Sequence, residues 1–364
     1  MSGEPAYCRA LRLRQAAHCL LPSLEPGKPV QQPRVVLSKA DKDFYTALLA
    51  GTSLTPVRES HKLLLRANDS IDAFIKRILD GQTEPKSKLA TLDMLGKAAT
   101  DDCHVVHLVS DSRGEAYRLF EVLNDRGRNL SEGDLLRSTT LERLEGADSR
   151  QEQAEKIWDE ILAVKASHID HFLRVYYASH VGKRAGHRSL FDDFMREFSL
   201  DTLSSSKILE RLNHIRSAFA LYNCLSEGEW PYEDSGVTVW DKNRLKLLLQ
   251  VLKNELSLPL LLASCALTEK NCAALVHVLE FAVFRYIHCC RQHPSKLDSI
   301  FLANAVAIRK APKTYKVAAL RASLKALQDS YAGDDIFCQG IRSELVYREK
   351  AGNTIPKYFL TTIE

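Results

Sequence analysis

Hydrophobic positions along this chain fall into two regimes that meet near residue 110. Before it, apolar residues come in short runs among prolines and charges; beyond it, they recur every three or four positions. Pro22, Pro26, Gly27, Pro29 and Pro33 argue against a helix or a central strand over residues 22–33, which read as a connector after a short first helix. RVVL at 34–37 has the length and branching of a strand, while KADKDFYTALLAG at 39–51 opens like a helix and stops at Gly51. The clearest strand is CHVVHLV at 103–109, β-branched and bounded by Asp101, Asp102 and Asp111. Beyond Ser110 the pattern predicts helices almost throughout.

In GEAYRLFEVLNDRG at 114–127, Ala116, Leu119, Phe120 and Leu123 stand at i, i+3, i+4 and i+7, so one apolar face leads to a helix end near Asn124. Ser131, with Asp134 three residues on, predicts the next helix start. The hydroxyl accepts a backbone N–H and the carboxylate suits the positive end of the helix dipole, a cap worth about 1 kcal/mol. Leu245, Leu248, Leu249, Leu252 and Leu256 make one stripe, which Pro259 interrupts or redirects. Residues 272–287, CAALVHVLEFAVFRYI, are apolar nearly all round and predict a central buried helix. Val317, Leu320, Leu324 and Leu327 give a one-sided helix whose neighbouring positions include Lys316, Arg321 and Lys325. No fixed-period repeat is visible, which argues against a solenoid.

With 364 residues, 45% of them hydrophobic, the chain can bury a substantial core and divide into two or three units. Lys and Arg number 50 against 46 Asp and Glu, a balance of +4 that permits a nucleic-acid partner without requiring one. Nine cysteines occur with no CxxC pair, the usage of reduced thiols packed as small apolar residues. The first 26 residues lack an apolar segment of signal length, and no later run reaches the roughly 18 apolar residues of a membrane span, so a cytoplasmic protein without a membrane partner is expected.

The stretch FEVLNDRGRNLSEGDLL, residues 120–136, crowds Asn, Asp, Arg and Gly between two helical patterns. One reading is a ligand loop. Asn124 and Arg126 reach a phosphate or nucleotide, Gly127 lets the backbone approach, and the helix start at Ser131 and Asp134 offers N–H groups to an anion. The other is a helix C-cap followed by an N-cap, with Asn124 and Gly127 in left-handed turn positions and Asp134 serving the dipole.

Phe120, Leu123, Asn124, Arg126, Gly127, Leu130, Ser131 and Asp134 spell F-x-x-L-N-x-R-G-x-x-L-S-x-x-D, which resembles the second signature of the GmrSD-type restriction endonuclease family. CHVVHLVSD and EAYRLFEVLN precede it in the family's order. IWDEIL and IDHFLRVYYASHVG within 157–182, LEFAVFRYI at 279–287 and YREKAGNTIPKYFLTTIE at 347–364 resemble its later helices. The resemblance implies a ParB-like N-terminal domain that binds and hydrolyses nucleoside triphosphate with Mg, a helical region, and restriction of DNA carrying modified bases in phage defence. It also implies nucleotide-binding roles for Asn124, Arg126, Gly127, Ser131 and Asp134. Two family features are missing. The D-G-Q-Q-R loop is not found, LDGQTEP at 79–85 lacking its second Gln and Arg and following a helical segment. No His follows Tyr331, so an HNH nuclease, which needs a His base and metal ligands, has no counterpart.

Three histidine groups are weighed as metal sites and set aside. His104 and His107 point to opposite faces of a strand; His168, Asp170 and His171 lack a third ligand with a positioned base; Cys289 and Cys290 within HCCRQH diverge on a helix. No nucleophile elbow, Walker loop or dinucleotide fingerprint occurs. Two basic groups are candidate DNA contacts: Lys183, Arg184 and Arg188 with His187 after a Tyr-rich helix, and Lys313, Lys316 and Arg321 with Arg309, Lys310 and Lys325 around a later one. Solvated surface is the alternative for both.

The expected fold is mainly α: a partial ParB-like α/β unit over 1–130, followed by a helical domain over 131–364. The expected function is a DNA-directed component of a GmrSD-like system, binding DNA or a nuclease partner subunit with an incomplete nucleotide site. The alternatives are an NTP-dependent endonuclease completed by another polypeptide or by missing termini, and a helical interaction scaffold. No catalytic residue and no metal ligand is assigned.

Overall fold

A computed structural model of the chain describes residues 41–52, 54–102, 131–144, 146–186, 190–198, 200, 202–233, 236–349 and 352–363, with 20–21, 32–33 and 37. These residues are mainly helical. The strand expected at 103–109 and the helix expected over 114–124 lie outside them, as do residues 34–36 of RVVL; Leu37 has no regular structure. The β-structure among the described residues is a two-residue antiparallel pair, β1 (Leu20–Leu21) with β2 (Gln32–Pro33). Contacts divide the chain into two compact units, residues 1–116 with 162–165, and residues 117–161 with 166–364.

In the first unit, α1 (Lys42–Leu49) ends as its sequence predicts, with Gly51 at φ 72° just past the last turn. α2 (Glu59–Leu79) packs on it. Phe44 stacks on His61 with ring centroids 4.0 Å apart, and Ser60 Oγ donates to the Asp41 carboxylate at 2.7 Å. α3 (Pro85–Lys97) starts with proline in its first turn, where no N–H is needed, and runs into a π-helical turn at Ala98–Asp102.

The second unit is built from α4 (Glu132–Arg143), α5 (Asp148–Ile161), α6 (Ala166–Val181), α7 (Leu190–Phe198) and α8 (Ser205–Ser226). α9 (Val239–Lys246), α10 (Leu258–Ser264), α11 (Glu269–Val283) and α12 (Ser295–Lys310) follow. The chain closes with α13 (Val317–Tyr331), α14 (Asp334–Glu344) and α15 (Thr354–Ile363). Two Ser/Thr-x-x-Asp capping boxes start helices here, Ser131 with Asp134 and Thr238 with Asp241.

At the centre sits α10, the sequence LPLLLAS with every residue buried against α6, α8, α11 and α12. The helix expected to be buried over 272–287 packs beside α10 with most of its residues buried and Phe281 exposed. The leucine stripe divides earlier than expected. α9 passes into a π-helical turn at Leu247–Val251, the chain turns through Lys253 at φ 49°, and the two helical segments meet at 119°. Pro259 then falls in the first turn of α10, and Leu256 belongs to a 3₁₀ turn before it. Residues Glu269–Cys289 are long and apolar enough to cross a membrane by length and composition, as core helices also are, and most of that stretch is buried inside the unit.

Candidate functional site

The signature's described end is the start of α4. Ser131 Oγ accepts the Asp134 N–H at 3.2 Å, and Asp134 Oδ2 accepts the Ser131 N–H at 3.3 Å and hydroxyl at 2.6 Å. The cap therefore forms as its spacing predicts. The next donors are also engaged: Asp170, from α6, accepts the Glu132 N–H at 3.1 Å and a further bond from the Gly133 backbone. Glu132 turns its carboxylate away from its own helix and accepts the Phe191 N–H of α7 at 3.1 Å. Burial raises both carboxyls above their ordinary values, the Asp170 charge adding to the effect on Glu132. An internal carboxylate thus occupies the place at the helix N-terminus where an external anion would dock.

Asn124, Arg126 and Gly127, the other half of the nucleotide reading, lie outside the described residues, as does Arg188. The described half presents to a triphosphate N–H groups that Ser131 and Asp170 already engage, and no group of His, Cys, Asp and Glu suited to a metal ion occurs among the described residues. No chemical step through nucleotide or Mg follows from these residues.

His168 and His171, weighed as ligands, face α8. His168 Nε2 meets Asn223 Oδ1 at 2.7 Å, and His171 Nδ1 shares a hydrogen bond of 2.6 Å with the Tyr222 hydroxyl. Burial lowers His171 and raises the Tyr222 phenol to about 12. His171 also borders a cleft of about 630 Å³ that Arg184, Lys253, Asn254, Glu255 and His288 line. Its charges are mixed: Glu255 approaches His171 at 3.9 Å, and Arg184 pairs with Asp298 at 2.7 Å and donates to the Leu256 carbonyl at 3.1 Å.

Among the described residues the two basic groups are anchored differently. Arg184 is tied to Asp298 in the first turn of α12, whereas Lys313 and Lys316 follow that helix's last turn, about 20 Å away along a rise of 1.5 Å per residue. Lys183, Lys313, Lys316 and Arg321 are exposed. Arg309, grouped with them in sequence, turns inward and donates to the buried Ser179 hydroxyl at 2.9 Å.

No protein-family model and no curated protein matches the chain.

Sequence reasoning passes over Asp170 as the cap of α4, because its partner lies 38 residues away and no local spacing signals it. The Tyr222 and Asn223 partners of the two histidines are likewise remote, at 51 and 55 residues.

Proposed function

We propose that this chain is a DNA-directed component of a GmrSD-like restriction or phage-defence system, cytoplasmic, and acting through DNA or a nuclease partner subunit. Its N-terminal unit would be the remnant of a ParB-like α/β domain. The observation that carries the reading is the F-x-x-L-N-x-R-G-x-x-L-S-x-x-D signature, whose final serine and aspartate open a helix by a reciprocal cap. Supporting it, Lys313, Lys316 and Arg321 project into solvent from the end of α12 and the start of α13, where phosphates can be neutralised without desolvating a buried group.

Fluorescence anisotropy on duplexes with and without modified bases tests it. Binding should weaken linearly with the logarithm of salt concentration, and Lys313→Gln with Lys316→Gln should make the slope shallower by roughly 0.9 for each phosphate that is no longer neutralised. Calorimetry with GTP, ATP or CTP plus Mg, comparing the parent with Asn124→Ala, tests the nucleotide half separately.

A second reading, a helical interaction scaffold without nucleotide chemistry, is favoured by Asp170 on the α4 terminus, since a self-satisfied helix start has less use for a phosphate. Salt-independent behaviour with every duplex and no heat with any nucleotide would select it.

A further inference from the structure

Helices α6, α8 and α12 gather two guanidinium groups, two imidazoles and a phenol around Tyr176 and His180. Arg309 Nε donates to Ser179 Oγ, and that hydroxyl donates in turn to the Pro259 carbonyl at 2.7 Å, so the arginine stem is fixed from below. The Tyr176 hydroxyl meets His214 Nδ1 at 2.8 Å and is also hydrogen-bonded to Arg211, whose guanidinium lies over the Phe198 ring at 5.3 Å. His180 lies against Tyr176 with centroids 4.1 Å apart and donates from Nδ1 to the Tyr176 carbonyl at 2.8 Å. The two imidazole centroids are 5.7 Å apart.

Neither Arg211 nor Arg309 forms an ion pair with a described carboxylate. The described titratable groups that face them are Tyr176, His180, His214 and Cys265, none of which carries negative charge at neutral pH. Burial and the Arg309 charge hold His180 down to about 3, His214 is lowered for the same reasons, and burial raises the Tyr176 phenol and the Cys265 thiol beside Arg309. Arg309 itself, lowered by burial to about 10, stays cationic at neutral pH. Its place in the last turn of α12 supplies a helix-dipole contact, which offsets only part of a unit charge withdrawn from water. Two cations without a counter-charge among the described residues, one of them well withdrawn from solvent, leave a deficit that an anion would fill.

We infer that Arg211, Arg309, His180 and His214 form a binding site for a phosphate group, entered past the exposed His214 ring. Two forked guanidiniums offer more donors than one carboxylate can accept, and their combined charge matches a phosphate dianion. The phosphate would come from a nucleic-acid backbone or from a free nucleotide. This site stands on its own geometry and does not depend on the restriction-system reading.

Histidine Cε1–H resonances of the full chain read it directly, with His180 and His214 assigned from His180→Gln and His214→Gln. Inorganic phosphate should shift both rings saturably where chloride at equal ionic strength does not, and Arg211→Gln should weaken the apparent affinity by about tenfold or more. A nucleotide and a short duplex are then titrated in parallel, and the one that saturates the same rings at lower concentration identifies the source. Rings blind to all three ligands, or equally responsive to chloride, or a folded Arg211→Gln variant that binds like the parent, would each overturn the site. If Arg309→Gln loses its circular-dichroism signature, Arg211→Gln decides alone, since the Tyr176 hydroxyl that Arg211 meets keeps His214 as a partner.

Discussion

Asp170 illustrates how one residue settles the character of a helix end. Its carboxylate is half-buried and raised by desolvation, yet it takes N–H groups of the α4 first turn that would otherwise be orphaned. Removing the acceptor should cost more than removing the charge. Asp170→Ala leaves buried donors unmatched and is expected to destabilise by about 1–3 kcal/mol, whereas Asp170→Asn keeps an acceptor, sheds a buried charge and should cost less. Urea denaturation of both variants checks this; equal losses would mean that the carboxylate contributes through its charge and not as a cap. Glu280 poses the same problem more severely at 1% exposure, with Arg244 Nη1 donating to one oxygen at 2.5 Å and the Tyr358 hydroxyl to the other at 3.0 Å. Glu280→Gln should therefore cost roughly 3–5 kcal/mol by leaving a guanidinium unpaired, and Tyr358→Phe only about 1. Denaturant midpoints that ranked these two the other way would remove the ion pair as the source of stability.

Among the elements, closest approach matters as much as burial. A Cβ at Gly340 of α14 would lie 2.2 Å from the Cys289 carbonyl oxygen, a backbone atom that cannot rotate aside, at the end of the π-helical turn Phe284–Cys289. Gly340→Ala should shift α14 off that turn and destabilise by about 1–3 kcal/mol or more, against the usual gain from alanine in a helix. A variant as stable as the parent would show that α14 does not pack there. How much of this is legible in sequence depends on the range of the cause. The stop at Gly51 and the cap at Ser131 arise within four residues and are readable. The turn after α9 is misplaced in the sequence pattern because Pro259 is conspicuous, while the actual break puts an ordinary lysine, Lys253, in the left-handed region. A matching break follows α11, where Arg291 has φ 51° after another π-helical turn, with corresponding backbone bonds, Leu252 to Leu247 and Asn254 to Leu248 in one and Cys290 to Arg285 and Gln292 to Tyr286 in the other. Neither residue type announces such a turn, and the two segments share no spelling. Arg309 is indistinguishable from Lys310 on the same grounds, since only Ser179, 130 residues away, turns it inward.

For the whole molecule, partly desolvated histidines set the acid limit of stability. His171, His180, His214, His277 and His288 are all lowered, burial being the first cause in each, and His180 falls to about 3. In the unfolded chain these rings take up protons near pH 6.5, while the folded chain refuses them until lower pH. The unfolded state then binds more protons, so the stability these rings contribute is present above about pH 6.5 and is lost as pH falls toward about 3. Glu132 and Asp170 act in the opposite sense: raised by burial, they take up protons in the folded state first and so favour it as pH falls through the carboxylate range. Being of opposite sign, they add nothing to the acid-side loss, which among these groups comes from the histidines. The denaturant midpoint should accordingly drop between pH 7 and pH 5 in phosphate-free buffer, where no anion at Arg309 can raise the neighbouring rings. His180→Gln should flatten the dependence of unfolding free energy by up to one proton, about 1.4 kcal/mol per pH unit. A parent protein equally stable at both pH values would show that the folded state protonates these rings freely, and the packing of α6 against α8 and α12 around His180 would then have to be looser than described.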